Sequence, residues 1–173
     1  MANRAWTGAF WALWALLLLS WVLALAGLAA LQNNCYSSPE AALGAVAGVH
    51  GFTNSLDCSS LYRLYWWLLA FVFALLVGVA VAAGTGWLVA SSLSWALWSA
   101  VLSALFVMAG DSFLSLRDVS AAGTGIWWSR ASTAAAGFIL CAIFLLGLTF
   151  LLGWRQRRAA PGGGGGGAGP IKY

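Results

Sequence analysis

Four charged side chains, Asp111, Arg117, Asp118 and Arg130, fall within twenty positions directly after residues 64–110, a run of 47 residues with no charge. In so apolar a chain, such a group either lies inside a membrane as a relay or surfaces and closes the end of a helix bundle. The remaining inventory is thin. His50 is the only histidine, and a haem or zinc site needs at least two placed ligands, so it reads as a loop residue. Cys35 and Cys58 share a polar segment while Cys141 lies in an apolar run, which suggests one disulfide and one buried thiol. A redox pair would require a Cys-x-x-Cys motif, which the chain lacks. No catalytic triad, phosphate loop or paired intramembrane carboxylates can be assembled. The sequence assigns no catalytic, cofactor or metal residue, and the chain is not expected to be an enzyme.

The elements that must position these residues follow from composition. Of 173 residues, 62% are hydrophobic and 7% charged, whereas soluble domains are about a quarter charged. This is the composition of an integral membrane protein. The twelve tryptophans suit a headgroup layer that wets the indole N–H and buries its ring. The net charge of +4 is concentrated at the ends, in Arg4, Arg155, Arg157, Arg158 and Lys172. That is a topology signal, since a nucleic-acid footprint needs many more cations on one face.

Uncharged runs divide the chain into four spans, near residues 6–31, 62–83, 87–109 and 131–153, each long enough to cross the bilayer core. The expected fold is all-α: a four-helix transmembrane bundle over residues 5–154, with residues 1–4 before it and a disordered Gly-rich tail, 155–173, after it. Cleavage of the first span as a signal peptide is a rival reading, because Ala24-Leu25-Ala26 resembles a cleavage site. The motif "AAGTG" at 82–86 supplies Gly84 and Gly86 for the turn between spans two and three. It recurs at 121–125 with unrelated flanks, so an inverted repeat is not adopted.

Four spans put both termini on one side, and the positive-inside rule makes that side the cytosol. The membrane itself would be a plasma membrane, endomembrane or vesicle. The first outer loop opens with Ser38-Pro39-Glu40, a helix start, and a short interfacial helix is expected there. Cys35 and Cys58 bracket it and are expected to be joined. In span three, Ser92, Ala96, Ser99, Ala100 and Ser103 share a side. Thr133, Gly137 and Cys141 do so in span four, and span two has Ala74 and Gly78. Small residues of this kind allow close helix packing, either within the bundle or with a partner. Trp6, Trp14 and Trp21 form a stripe on span one, flanked by Trp11, that runs deeper than an interfacial belt, so part of it is expected to face lipid or a neighbouring subunit. If span three starts at Trp87, Asp111 lies about 36 Å along it, at the membrane edge. If Trp95 marks the inner interface, Asp111 lies about 24 Å along and needs a partner. The edge placement is preferred, with Arg117 and Arg130 as the expected partners.

Four spans with cytosolic ends, a larger first outer loop, an acid in the outer half of span three followed by Ser120-Ala121-Ala122, and "SRASTAAAGFILCAIFLLGL" entering span four together resemble the MARVEL-type tetraspan proteins. These include the plant Casparian-strip-like branch. That branch pairs its acid with an arginine in span one, and here span one has none after Arg4. The resemblance implies a membrane-organising or scaffolding protein that acts by lateral helix association. Its partners would be lipid, copies of itself or other membrane proteins, with no cofactor and no nucleic acid. The alternative is an accessory subunit of a larger membrane complex. A transporter or channel would need polar groups along a central path, where the spans offer chiefly serines.

Overall fold

The computed structural model describes residues 2–46, 49, 52, 57–88, 90–120 and 126–159, and these form six helices. They are α1 (Ala2–Ser37), α2 (Pro39–Val46), α3 (Cys58–Leu61), α4 (Arg63–Gly84), α5 (Ser92–Ser120) and α6 (Ile126–Ala159). Four of them, α1, α4, α5 and α6, are long and apolar enough to cross a membrane. The protein is an all-α, multi-pass four-helix bundle. Lipid offers no hydrogen bond to a bare peptide group, so a spanning segment must satisfy its own backbone, and a continuous helix does so. His50, the second "AAGTG" copy and residues 160–173 lie outside the described residues.

Neighbouring long helices run antiparallel, so α1 and α6 bring the two ends of the chain to the same end of the bundle. The opposite end, which carries the disulfide, is called the disulfide end below. The most extensive packing is α5 on α6, followed by α1 on α6, while α4 stands further off. The reason is residue size. A Cβ added at Gly137 would lie 2.4 Å from the Ala24 backbone nitrogen, and one added at Gly27 would lie 2.6 Å from that of Ala134. The two backbones therefore touch where each helix offers a glycine to the other's alanine. Against α4 the fillers are large, and the ring of Trp95 rests on Gly78, where a Cβ would meet it at 2.4 Å.

Helix boundaries differ from the sequence expectation in several places, among them α1, which runs to Ser37, and α6, which begins at Ile126. Span three begins at Ser92, because Gly86 adopts φ 78° and turns follow it, with Leu88 N–H bonding back to the Ala82 carbonyl and Ser91 N–H to that of Trp87. It also runs to Ser120 rather than 109, because Phe113 and Leu116, both fully buried, continue its packed face past Asp111. At its other end, α6 continues through the terminal arginines to Ala159, so residues 155–159 are helical and not part of a structureless tail. In the first loop, α1 stops just before Pro39, which cannot follow a helical residue comfortably, and α2 starts on it with Glu40 in its first turn. The described part of that helix is Pro39–Val46.

The glycine contacts give a graded expectation. Gly137→Val should destabilise the bundle by about 3 kcal/mol or more, since backbone cannot retreat as a side chain can. Gly147→Ala should be nearly neutral, because its new Cβ would meet only a Leu13 methyl, at 3.3 Å. Unfolding both variants in lipid vesicles, with α-helical signal as the readout, checks the order.

Candidate functional site

The sequence "QNNC" at 32–35 places polar side chains on the last turns of α1, where the bundle must satisfy or expose them. Each of three is tied to a different element. Trp66 of α4 donates its indole N–H to Gln32 Oε1 at 2.5 Å. Arg130 of α6 donates through Nη1 to the Ala30 carbonyl at 3.0 Å and to Asn34 Oδ1. Cys35 is bonded to Cys58 of α3, with a Cα–Cα distance of 5.7 Å, within the usual range for a disulfide. Cys141 stays a buried free thiol.

Arg130 therefore faces α1 and not Asp111. Arg117 pairs with its neighbour Asp118 at 2.7 Å, on an exposed edge where such a pair contributes at most about 1 kcal/mol. The expected Asp111–Arg117 and Asp111–Arg130 pairs do not form. Six residues of α-helix separate Asp111 from Arg117, which turns them about 120° apart around α5. Arg130 is drawn to the carbonyl and amide oxygens of α1. Asp111 is exposed, on the same side as Val107 and Met108, and has no hydrogen-bond or ionic partner among the described residues.

Gly110 sits against Ile139 of α6, where an added Cβ would meet Cγ1 at 2.9 Å, so Asp111 is level with the stretch around Phe138. Both lie within helices long and apolar enough to cross a membrane, Ser92–Asp118 and Trp128–Trp154. Counted from Ser92, where α5 starts, Asp111 lies about 28 Å along the helix, between the two placements the sequence allowed.

The small and hydroxyl residues meet other helices. Ser99 and Thr149 hydroxyls bond at 2.7 Å, and Ser103 donates to the Ala142 carbonyl at 3.1 Å. Ser92, Ala96, Ser99, Ser103, Gly137 and Cys141 are all buried, whereas Ala74 is exposed. The tryptophan stripe divides. Trp14 donates to the Leu76 carbonyl at 3.0 Å and Trp21 to that of Leu69 at 2.9 Å, both on α4, while Trp11 is exposed. Sequence reasoning missed Gly27, Gln32, Asn34 and Trp66. The signal for the first was Ser20, Ala24 and Gly27 at helical spacing, and for the others the amide side chains at the end of an apolar run. Among the described residues no three His, Cys, Asp or Glu side chains come together as a metal site.

An aromatic cluster fills the disulfide end around Phe113, whose ring centroid lies 4.7 Å from Tyr65, 5.7 Å from Phe52 and 5.0 Å from Phe138. Tyr62, between α3 and α4, is fully buried beside it, and its hydroxyl has no partner among the described residues. Burial, reinforced by neighbouring Tyr65, pushes its phenol up to about 12.

Three outcomes follow. Above about pH 10 a tyrosine in the unfolded chain ionises while Tyr62 stays neutral. Stability should thus fall as pH rises from 10 to 12, and Tyr62→Phe should flatten that fall in pH-dependent unfolding and add about 1 kcal/mol at neutral pH by removing an unpaired hydroxyl. Asn34→Leu should cost about 1–3 kcal/mol, because Arg130 loses its side-chain acceptor. Non-reducing peptide mapping should recover Cys35 and Cys58 linked, and reducing the bond should lower stability by about 3 kcal/mol.

No family model, curated protein or solved structure matches this chain.

Proposed function

We propose that the protein organises membranes by lateral helix association, acting as a tetraspan scaffold with both termini in the cytosol. The observation that carries this reading is Asp111, an exposed carboxylate within the stretch of α5 that is apolar enough to cross a membrane, unpaired among the described residues. A lone acid in hydrocarbon is expensive, and such residues are kept where something pairs with them. The internal serines and small residues are already occupied in holding the bundle together, so the acid is left for contacts outside it. The likeness to MARVEL-type tetraspans belongs to this proposal and rests on the four-span pattern and the third-span acid, without the span-one arginine of the plant branch. Arg155, Arg157 and Arg158 continue α6 beyond Trp154, and cations in that position favour an anionic cytosolic leaflet by about 1 kcal/mol each.

An accessory subunit would use the same acid on a different protein's cation, so composition of the purified assembly separates the readings. Solubilised in mild detergent, the protein should come out with copies of itself as the dominant species. A stoichiometric set of other subunits would replace scaffold with accessory role. A tag at Tyr173 should stay protected from protease added outside intact cells, and its digestion would reverse the topology.

A further inference from the structure

Arg130 is half-buried, and every hydrogen bond it makes among the described residues goes to a neutral group. Nη1 makes them all, giving one N–H to the Ala30 carbonyl and the other to Asn34 Oδ1. A guanidinium carries five N–H donors in a planar fork, so Nε and Nη2, which lie side by side, have no partner among the described residues. Asn34 uses its oxygen on the arginine, and its two amide N–H donors likewise have none among those residues. The edge of the α1–α6 seam therefore offers donors and a full positive charge, with no carboxylate to offset it.

The level of this edge is that of a headgroup layer. Trp66 of α4 bonds to Gln32, which lies between the two residues of α1 that Arg130 holds, so Trp66 and its exposed neighbour Trp67 stand level with Arg130. Trp128, also exposed, precedes Arg130 by two residues on α6. Indoles gather where hydrocarbon gives way to polar headgroups, and the apolar run of α1 ends at the same level, in Gln32, Asn33 and Asn34. Deeper on α1, Leu23 and Leu16 precede Asn34 by about three and five whole turns, so they share its side of the helix, and both are exposed. From Asn34 to Leu23 is about 16 Å along the axis, which matches the hydrocarbon of one leaflet.

We infer that Arg130 and Asn34 form a binding site for the phosphate of a bilayer phospholipid. Two phosphate oxygens accept from Nε and Nη2 side by side, the bidentate arrangement in which arginine holds phosphate. The Asn34 amide adds a neutral donor, and an acyl chain lies along Leu23 and Leu16. The chemistry recognised is a phosphate oxyanion, which a lipid headgroup or a free ion could supply. The exposed apolar strip on the same side of α1 selects the lipid, since a free ion gains nothing from it. The site does not depend on the scaffold reading, because it needs a bilayer and no second protein.

The test is thermal unfolding of the full chain, purified in dodecyl maltoside and stripped of lipid, with helical signal as the readout. Phosphatidylcholine, diacylglycerol with the same acyl chains, or inorganic phosphate is added back. Phosphatidylcholine should raise the wild-type midpoint about 2–4 °C above that in diacylglycerol, and millimolar inorganic phosphate should leave it unchanged. Asn34→Asp keeps an acceptor for Nη1 and sets a carboxylate beside the guanidinium. It should fold as well as wild type in diacylglycerol and lose the phosphatidylcholine increment. Arg130→Gln should lose the increment too, whereas Arg63→Gln, which removes an exposed cation at the same end of the bundle, should keep it. The inference is overturned by an Asn34→Asp protein that retains the increment, by an equal loss in Arg63→Gln, or by a wild type that gains no more from phosphatidylcholine than from diacylglycerol. A rise of the same size with inorganic phosphate alone overturns the lipid as the ligand.

Discussion

The contact on which the bundle depends is the backbone seam between α1 and α6. In lipid there is no hydrophobic gain from pressing two apolar helices together, so packing and hydrogen bonds must hold them. Gly27 against Ala134 and Gly137 against Ala24 bring the backbones to touching distance, and they also set register. Antiparallel helices fixed at 24 with 137 and 27 with 134 place residue 130 beside 30–34. The guanidinium of Arg130 then meets the Ala30 carbonyl and the Asn34 amide as a consequence of that register. A larger residue at either glycine would push the seam apart and strand a half-buried cation. Packing at mid-membrane and electrostatics at the disulfide end are therefore one constraint.

On the other side of α1 the logic is different. Trp14 and Trp21 reach α4 with indole N–H groups aimed at carbonyls that already accept a bond within their own helix. An indole inside hydrocarbon has no water to turn to, so a shared carbonyl is its best partner. These bonds span a gap rather than close it. α4 consequently packs less extensively than α6 and leaves the open groove beside α5. Near its disulfide end Trp66 adds a bond to Gln32.

Four spans, their approximate limits and the pairing of Cys35 with Cys58 were legible from uncharged runs and from two cysteines in one polar segment. The burial of Ser99 and Ser103 was visible as a one-sided pattern, although their acceptors, Thr149 and the Ala142 carbonyl, were not. Depth was harder. It depended on where α5 starts, and a single positive φ at Gly86 moved that start by five residues relative to Trp87. The partners of Arg130 were hidden for another reason. Sequence proximity favours a nearby carboxylate, but a guanidinium can be satisfied by neutral oxygens, and these came from α1, 96 and 100 positions away.

Polar groups inside the bundle are thus of two kinds. Ser103, Trp14, Trp21 and Arg130 donate to main-chain oxygens on neighbouring helices, which ties each to a fold that already exists. An acceptor-only group such as ionised Asp111 cannot use that solution, since spanning helices present carbonyl oxygens and almost no free N–H donors between their ends. Its needs can be met only by a side-chain donor, and the arginines nearest in sequence are turned elsewhere. The difference between donors and acceptors, more than charge alone, explains why the bundle absorbs its indoles, hydroxyls and Arg130 while leaving a carboxylate on the outside.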